Sequence, residues 1–377
     1  MDDIAYRHEQ IDFSRPGKHH YRVAFPYDGS WGNSLVPMTV INGLCGVNAN
    51  GVAVFGGTHG NEYEGQVALK RLCRDLDPAV MSGRVIVVPQ LSQSACVAGT
   101  RTSPMDGVNM NRAFPGNPRG TLSYRISNFV KTRIFPEVRV VLDIHAGGNE
   151  GSFPICTSFH PIPDPAQRAE IAKVALLFDT PFVGIYSNEM HSGLLTDEGE
   201  ADGKITIGGE FGGGETCDPD GVRHAYEGTL NVLRHYGLLP GGVVKIRAAG
   251  AQTMFVRLEN LEDYIPCPFD AVWEPRVRPG AGVCAGEIVG CLHDFSDHTS
   301  APREVRAHRD GIVIMLHLSA RPRKGQTLFV IAVPLPDGAL MGDAPADDAL
   351  LGEVIMGDMP LGEVPIGDTL PGEAPPG

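Results

Sequence analysis

From residue 51 to about residue 240, short apolar runs alternate with longer amphipathic stretches. The apolar runs Val52–Phe55, Arg84–Val88, Val138–Ile144, Phe182–Ile185 and Lys204–Ile207 are rich in Val and Ile. Near-continuous runs of this kind predict strands covered on both faces. Between them, Tyr63–Leu76, Thr121–Phe135, Asp164–Phe178 and Val222–Tyr236 predict helices, with Thr121 as a start signal and Gly237 as a stop. Strand and helix in turn predict an α/β fold with a mainly parallel sheet flanked by helices.

The pattern differs at both ends. In residues 1–50, Tyr21–Phe25 and Leu35–Ile41 read as strands. Pro37 has no amide hydrogen to donate, which points to an edge or a bulge. This segment is expected to be an N-terminal β extension of the catalytic domain, 51–244. After Leu239-Pro240-Gly241-Gly242 the helical period is lost. Strand-like runs at Met254–Leu258, Gly286–Leu292, Gly311–Leu318 and Thr327–Val333 predict a small all-β module over 245–335. Residues 336–377 are dominated by Gly, Pro and acids, with a Gly-Glu dipeptide at 352, 362 and 372. Such a segment buries too little apolar surface to offset its chain entropy and is expected to be a disordered acidic tail.

Charge sharpens that division. The formal net charge is -14, and nine acids fall between Asp337 and Glu373 with no Lys or Arg beyond Lys324. The rest of the chain is close to balanced, and no basic patch suggests nucleic acid. Met1 to Asp12 is charged and lacks the apolar core of a secretory signal. No run approaches the roughly 18 apolar residues of a membrane span. The eight cysteines form no C-x-x-C pair. Free thiols in a reducing cytoplasm are therefore expected. A small-molecule substrate fits this profile, and a homo-oligomer stays open.

The candidate chemistry sits where strands end in glycine-rich loops. Gly56-Gly57-Thr58-His59-Gly60-Asn61-Glu62 follows the first buried strand and precedes a helix. Crevices at the carboxyl ends of strands are where ligands bind in open α/β sheets. His59 and Glu62 are suited to zinc, which in catalytic sites takes three protein ligands and keeps one position open. His145 closes a second apolar strand before Ala146-Gly147-Gly148 and offers the third ligand. Asp143 shares its face of the strand and is placed to orient that histidine. Glu210, in Gly208-Gly209-Glu210-Phe211-Gly212, is the candidate general base, with Glu215 as a rival. Arg101, Asn111 and Arg112 lie in a loop without hydrophobic period, and a planar guanidinium grips carboxylates bidentately. His293-Asp294-Phe295-Ser296-Asp297-His298 also packs metal-binding side chains together but reads as a polar loop.

The order His59-x-x-Glu62, Asn111-Arg112, Asp143-x-His145 and Glu210-Phe211-Gly212 resembles the succinylglutamate desuccinylase/aspartoacylase family of the zinc carboxypeptidase clan. The likeness runs over about 50–335. Within the family, Val36–Val40, Gly60–Gly65 and Ala98–Pro104 are most similar to the N-acetyl-diaminobutyrate deacetylases of ectoine degradation. Ala146 and Asn61 depart from the Ser and Asp expected there. The resemblance implies a zinc-carboxypeptidase-like sheet. It also implies one zinc ion per subunit on His59, Glu62 and His145, with Glu210 as base and acid. Arg101 would polarise the scissile carbonyl, and Asn111 and Arg112 would hold a substrate carboxylate. The expected activity is hydrolysis of the amide of a small N-acyl amino acid. A carboxypeptidase-type peptidase is the alternative, and a non-enzymatic binding protein would have to lack the metal.

Overall fold

The computed structural model describes residues 5–29, 31–186, 192–258 and 260–336. The acidic tail expected to be disordered lies outside the described residues, apart from Pro336. Two ten-residue strands, β1 (Gly17–Pro26) and β2 (Asn33–Asn42), lead into the buried strand β3 (Val52–Gly56). Helix α1 (Tyr63–Asp75), strand β4 (Arg84–Val88), the short helix α2 (Gln93–Ala98) and helix α3 (Leu122–Phe129) follow. Then come β5 (Val140–Ile144), β6 (Cys156–Phe159), α4 (Pro165–Leu176), β7 (Phe182–Tyr186), α5 (Leu195–Ala201), β8 (Ile205–Glu210) and α6 (Pro219–His235). The C-terminal part contributes β9 (Met254–Leu258), β10 (Val272–Pro275), β11 (Ile288–His293), β12 (Arg303–Arg306), β13 (Gly311–His317) and β14 (Thr327–Pro334).

The main sheet runs β1-β2-β4-β3-β5-β8-β6-β7-β9-β14-β13. Its centre, β4-β3-β5-β8, is parallel, as the Val/Ile runs predict, and every residue of β3 and β5 is buried. The β6–β8 pair is antiparallel, so the whole is a mixed sheet with a parallel core. Beyond residue 240 the β-rich segment joins the same sheet: β9 runs parallel to β7 and pairs antiparallel with β14. Only β10, β11 and β12 form a separate three-stranded sheet.

Local chemistry explains the helix boundaries. Asp164 and Asp218 each cap a helix by accepting from two backbone amides, and each precedes a proline in the first turn. α6 therefore starts three residues before the predicted Val222. The predicted helix over 121–135 is α-helical only to Phe129 and then loosens into a π-turn, ending in a tight turn over Phe135–Glu137. Pro37 lies inside β2, but in the half paired only with β1, because pairing with β4 begins at Thr39. That half is an edge on one side, which is how a residue without an amide hydrogen fits there.

Candidate active site

The loop after β3 turns back over the sheet within a few residues. Gly57 takes the left-handed conformation with φ 61°. Gly60 passes so close to α2 that a Cβ would meet the Ala95 carbonyl carbon at 2.0 Å. These two turns bring His59 and Glu62 to the carboxyl end of β5, where His145 ends the neighbouring strand. His59 Nδ1 lies 2.8 Å from Glu62 Oε1, and His145 Nδ1 lies 2.9 Å from Glu62 Oε2. Both imidazoles thus aim the same nitrogen at one carboxylate, and all three groups are buried.

The remaining nitrogens are tied down from behind. His145 Nε2 is 2.7 Å from Asp143 Oδ2, and the Thr58 hydroxyl donates to the other oxygen of Asp143 at 2.7 Å. His59 Nε2 is 2.9 Å from Asn109 Oδ1. Two imidazoles oriented by outer oxygen acceptors and one carboxylate are the donor set and backing of a zinc site. The ligand-capable atoms of His59, Glu62 and His145 all lie within 4.8 Å of one another, so the residues fit the metal they would hold.

Electrostatics follow from this packing. Burial pushes the Glu62 carboxyl up, but the charges and hydrogen bonds of His59 and His145 outweigh it and hold it low. Burial pulls the His145 imidazole down, but Asp143 and Glu62 on its two sides raise it well above the ordinary histidine value. The Glu210 carboxyl is pushed up to about 8 by burial and by the like charge of Glu62, against the pull of His145 and Arg101. One Glu210 oxygen, Oε2, is buried with no hydrogen-bond partner among the described residues. Glu210 ends β8, three residues further than the strand predicted from sequence.

The loop arginines arrive from the other side. Arg101 Nη1 donates to Glu62 Oε1 at 3.3 Å, and its Nε is 3.9 Å from a Glu150 oxygen. Asn111 Nδ2 is 3.3 Å from His145 Nε2, and Asn111 Oδ1 accepts from the Leu195 amide. Arg112 donates to the Asn111 carbonyl at 2.6 Å. Arg101, Asn111, Arg112 and Glu150 line one cavity of about 240 Å³, together with His59, Glu62, Asp143, His145 and Glu210. The structure therefore brings every candidate residue to one place. The rivals fall elsewhere. Glu215 accepts from Asn61 in a neighbouring loop and does not line the cavity. His293 pairs with Glu274 at the end of β11, and neither it nor His298 lines the cavity.

Several residues of the site have no separate signal in the sequence. Asn109 and Thr58 orient the cluster, and the Asn109-Met110-Asn111 spacing is the only hint of the former. Tyr264, Ile314, Met315 and Val330 of the C-terminal module wall the cavity, and Ser158 and His160 also line it.

A raised carboxyl beside two histidines, with an arginine lining the same cavity, is a donor set that suits a hydrolase of amides. Residues 48–236 match the model of the succinylglutamate desuccinylase/aspartoacylase catalytic domain. The N-alpha-acetyl-L-2,4-diaminobutyric acid deacetylase of Halomonas elongata is 33% identical over 326 residues, covering 85% of this chain and 93% of that protein. The crystal structure of a succinylglutamate desuccinylase/aspartoacylase from Rhodobacter sphaeroides superposes with a TM-score of 0.82 at 32% identity, over 87% of this chain and 98% of that one. The product-bound ectoine utilization protein EutE (DoeB) from Ruegeria pomeroyi gives a TM-score of 0.80 at 29% identity, over 86% and 97%. The chain belongs to the succinylglutamate desuccinylase/aspartoacylase family.

Proposed function

We propose that this enzyme hydrolyses the acetyl amide of N-acetyl-diaminobutyrate or a close relative, with zinc held by His59, Glu62 and His145. When bound, zinc supplies the Lewis acidity that activates water and polarises a carbonyl. Glu210 takes the proton of the attacking water and passes it to the departing amine, releasing acetate and a free amino acid. The observation that carries this role is the buried, unpartnered Oε2 of Glu210. A carboxyl raised to about 8 both accepts and returns a proton near neutrality. Arg101 stabilises the developing oxyanion, a task worth about 3 kcal/mol per donor in other enzymes. Asn111 and Arg112 hold the substrate carboxylate. Asp143 orients His145 from behind.

The small-substrate reading is favoured over a peptidase by the C-terminal module. Residues 51–244 act as the catalytic domain, 1–50 extend its sheet, and 245–335 close the cleft with Tyr264, Ile314, Met315 and Val330. A cavity of about 240 Å³ suits a small acyl amino acid. No helix among the described residues is long and apolar enough to cross a membrane, and all eight cysteines are free. We place the enzyme in the cytoplasm as part of ectoine degradation, where free thiols persist.

The test is a deacylation screen of the zinc-loaded protein on acetyl amino acids and short peptides. N-acetyl-diaminobutyrate should lead the acetyl amino acids, and peptides should be poor substrates. Preferential cleavage of peptides would favour the carboxypeptidase reading.

A further inference from the structure

Glu210 is not the end of the cavity. Side chains alternate along a strand, so Thr206, Gly208 and Glu210 share one face of β8. β6 lies beside them with Ser158 opposite Gly208 and Cys156 opposite Glu210. The next residue after β6 is His160. At Gly208 a Cβ would meet the Ser158 hydroxyl at 3.1 Å, and Gly208, Ser158 and His160 line the same cavity as Glu210. From Glu210 to Thr206 the strand spans about 13 Å between Cα atoms.

His160 is only 8% exposed and is backed by two carboxylates. Its Nδ1 is 3.0 Å from Glu200 Oε2 and 3.7 Å from Asp197 Oδ1. Glu200 is fixed in turn by the Thr206 hydroxyl at 2.8 Å, and Asp197 by the Leu194 amide at 3.1 Å. The ring nitrogen on the other side, Nε2, has no hydrogen-bond partner among the described residues, while the ring itself lines the cavity. Burial pulls the His160 imidazole down, but the hydrogen bond and charge of Glu200 and the charge of Asp197 raise it. In the neutral form, with Nδ1–H donating to Glu200, Nε2 is an acceptor and the two carboxylates leave the cluster negative. Arg112 is the cation that faces Asp197 from the opposite loop.

We infer that the His160–Glu200–Asp197 cluster is the specificity pocket of this site and recognises a positively charged amine at the end of the substrate side chain. The inference rests on the proposed deacylase reading and extends it to the residue that selects the substrate. His160 would contact the ammonium, with Nε2 accepting a hydrogen bond. Glu200 and Asp197 act through it as positioning residues that hold the ring and supply charge. The reacting carbonyl carbon and the terminal amine of N-acetyl-diaminobutyrate are five bonds apart, about 6 Å. The remainder of the longer span is on the scale of the Glu210 and His160 side chains, both of which line the cavity. The neighbouring Arg112 then serves the carboxylate of the same molecule, so both charges of the substrate meet their opposites.

The test compares N-acetyl-diaminobutyrate with its uncharged isostere N-acetyl-norvaline in the zinc-loaded wild-type enzyme, Glu200→Gln and Asp197→Asn. Wild-type enzyme should prefer the charged substrate. Glu200→Gln should lose about 10- to 100-fold in kcat/KM on it, mainly through KM, as expected for a lost charged hydrogen-bond partner. Turnover of N-acetyl-norvaline should stay within about twofold. If Glu200→Gln does not fold, Asp197→Asn carries the same comparison with a smaller loss, since Asn still accepts from the Leu194 amide. An equal loss on both substrates, or none on either, would overturn the pocket assignment. Wild-type enzyme that cleaves neither compound, while releasing acetate from no other acetyl amino acid, would instead sink the deacylase reading itself.

Discussion

His145 and Glu210 are locked side by side across the parallel β5–β8 pair. The His145 amide donates to the Gly209 carbonyl at 3.0 Å, and the Phe211 amide donates to the His145 carbonyl at 2.9 Å. This backbone exchange fixes an imidazole that could hold a metal beside the raised carboxyl without help from either side chain. The two functions can therefore be separated by mutation.

Glu210→Ala is expected to keep a full complement of zinc and the wild-type fold while losing about 10²- to 10⁴-fold in kcat, the usual worth of a positioned acid/base. Metal analysis and steady-state kinetics on the same preparation check both halves. Turnover near the wild-type rate would remove Glu210 from the mechanism.

Asp143 and Thr58 form the support behind His145. Asp143→Asn leaves the ligands in place but weakens the hold on the ring, and zinc affinity should fall about 10- to 100-fold. Competition with a chromogenic chelator reads this directly. An unchanged affinity would mean that the ring is positioned by its backbone alone.

Arg101 touches Glu62 and lines the same cavity as Glu210, whose carboxyl its charge pulls down. Arg101→Ala should lower kcat by about 10²- to 10³-fold if the guanidinium serves the oxyanion. A change confined to KM would assign it to substrate binding.

Acid sensitivity should arise away from the site, at Asp179. Burial raises its carboxyl, but the amides of Arg247 and Ile246 and the charges of Lys245 and Arg247 win and hold it below the ordinary 3.8. A carboxyl lowered on folding stabilises the protein above its unfolded value, and that contribution is lost as pH falls through the folded value. Asp179→Asn should therefore cost about 1–2 kcal/mol at pH 7. The gap to wild type should narrow as pH falls below the ordinary 3.8 and vanish once the folded carboxyl is protonated. Denaturant melts across that range test it, and a gap independent of pH would contradict the ionic origin.

The parallel core and the candidate cluster were legible because both depend on local pattern. Val/Ile runs that end in glycine mark buried strands with open loops, and His59, Glu62, His145 and Glu210 each sit at such an end. What the pattern could not convey is pairing between distant segments. Nothing local to Met254–Leu258 signals that it lies along Phe182–Tyr186 and carries the sheet into the C-terminal part. The support of His59 by Asn109 spans fifty residues and leaves no periodic trace. His160 follows an ordinary strand before Pro161, and its meaning comes only from Glu200 and Asp197 on a short helix that the sequence hid. That helix, α5, has a glycine inside it and is only seven residues long, so its hydrophobic period is too brief to read. Pro37 was readable in kind, as a mark of missing pairing, but the partner strand was not.

The most direct test of the account is acetate release from N-acetyl-diaminobutyrate by one preparation in three states: as zinc-loaded enzyme, after removal of metal by a chelator, and after zinc is restored. The account predicts turnover, its loss, and its return with one zinc bound per chain. Undiminished turnover in the metal-free protein, or none in the zinc-loaded protein, would contradict it.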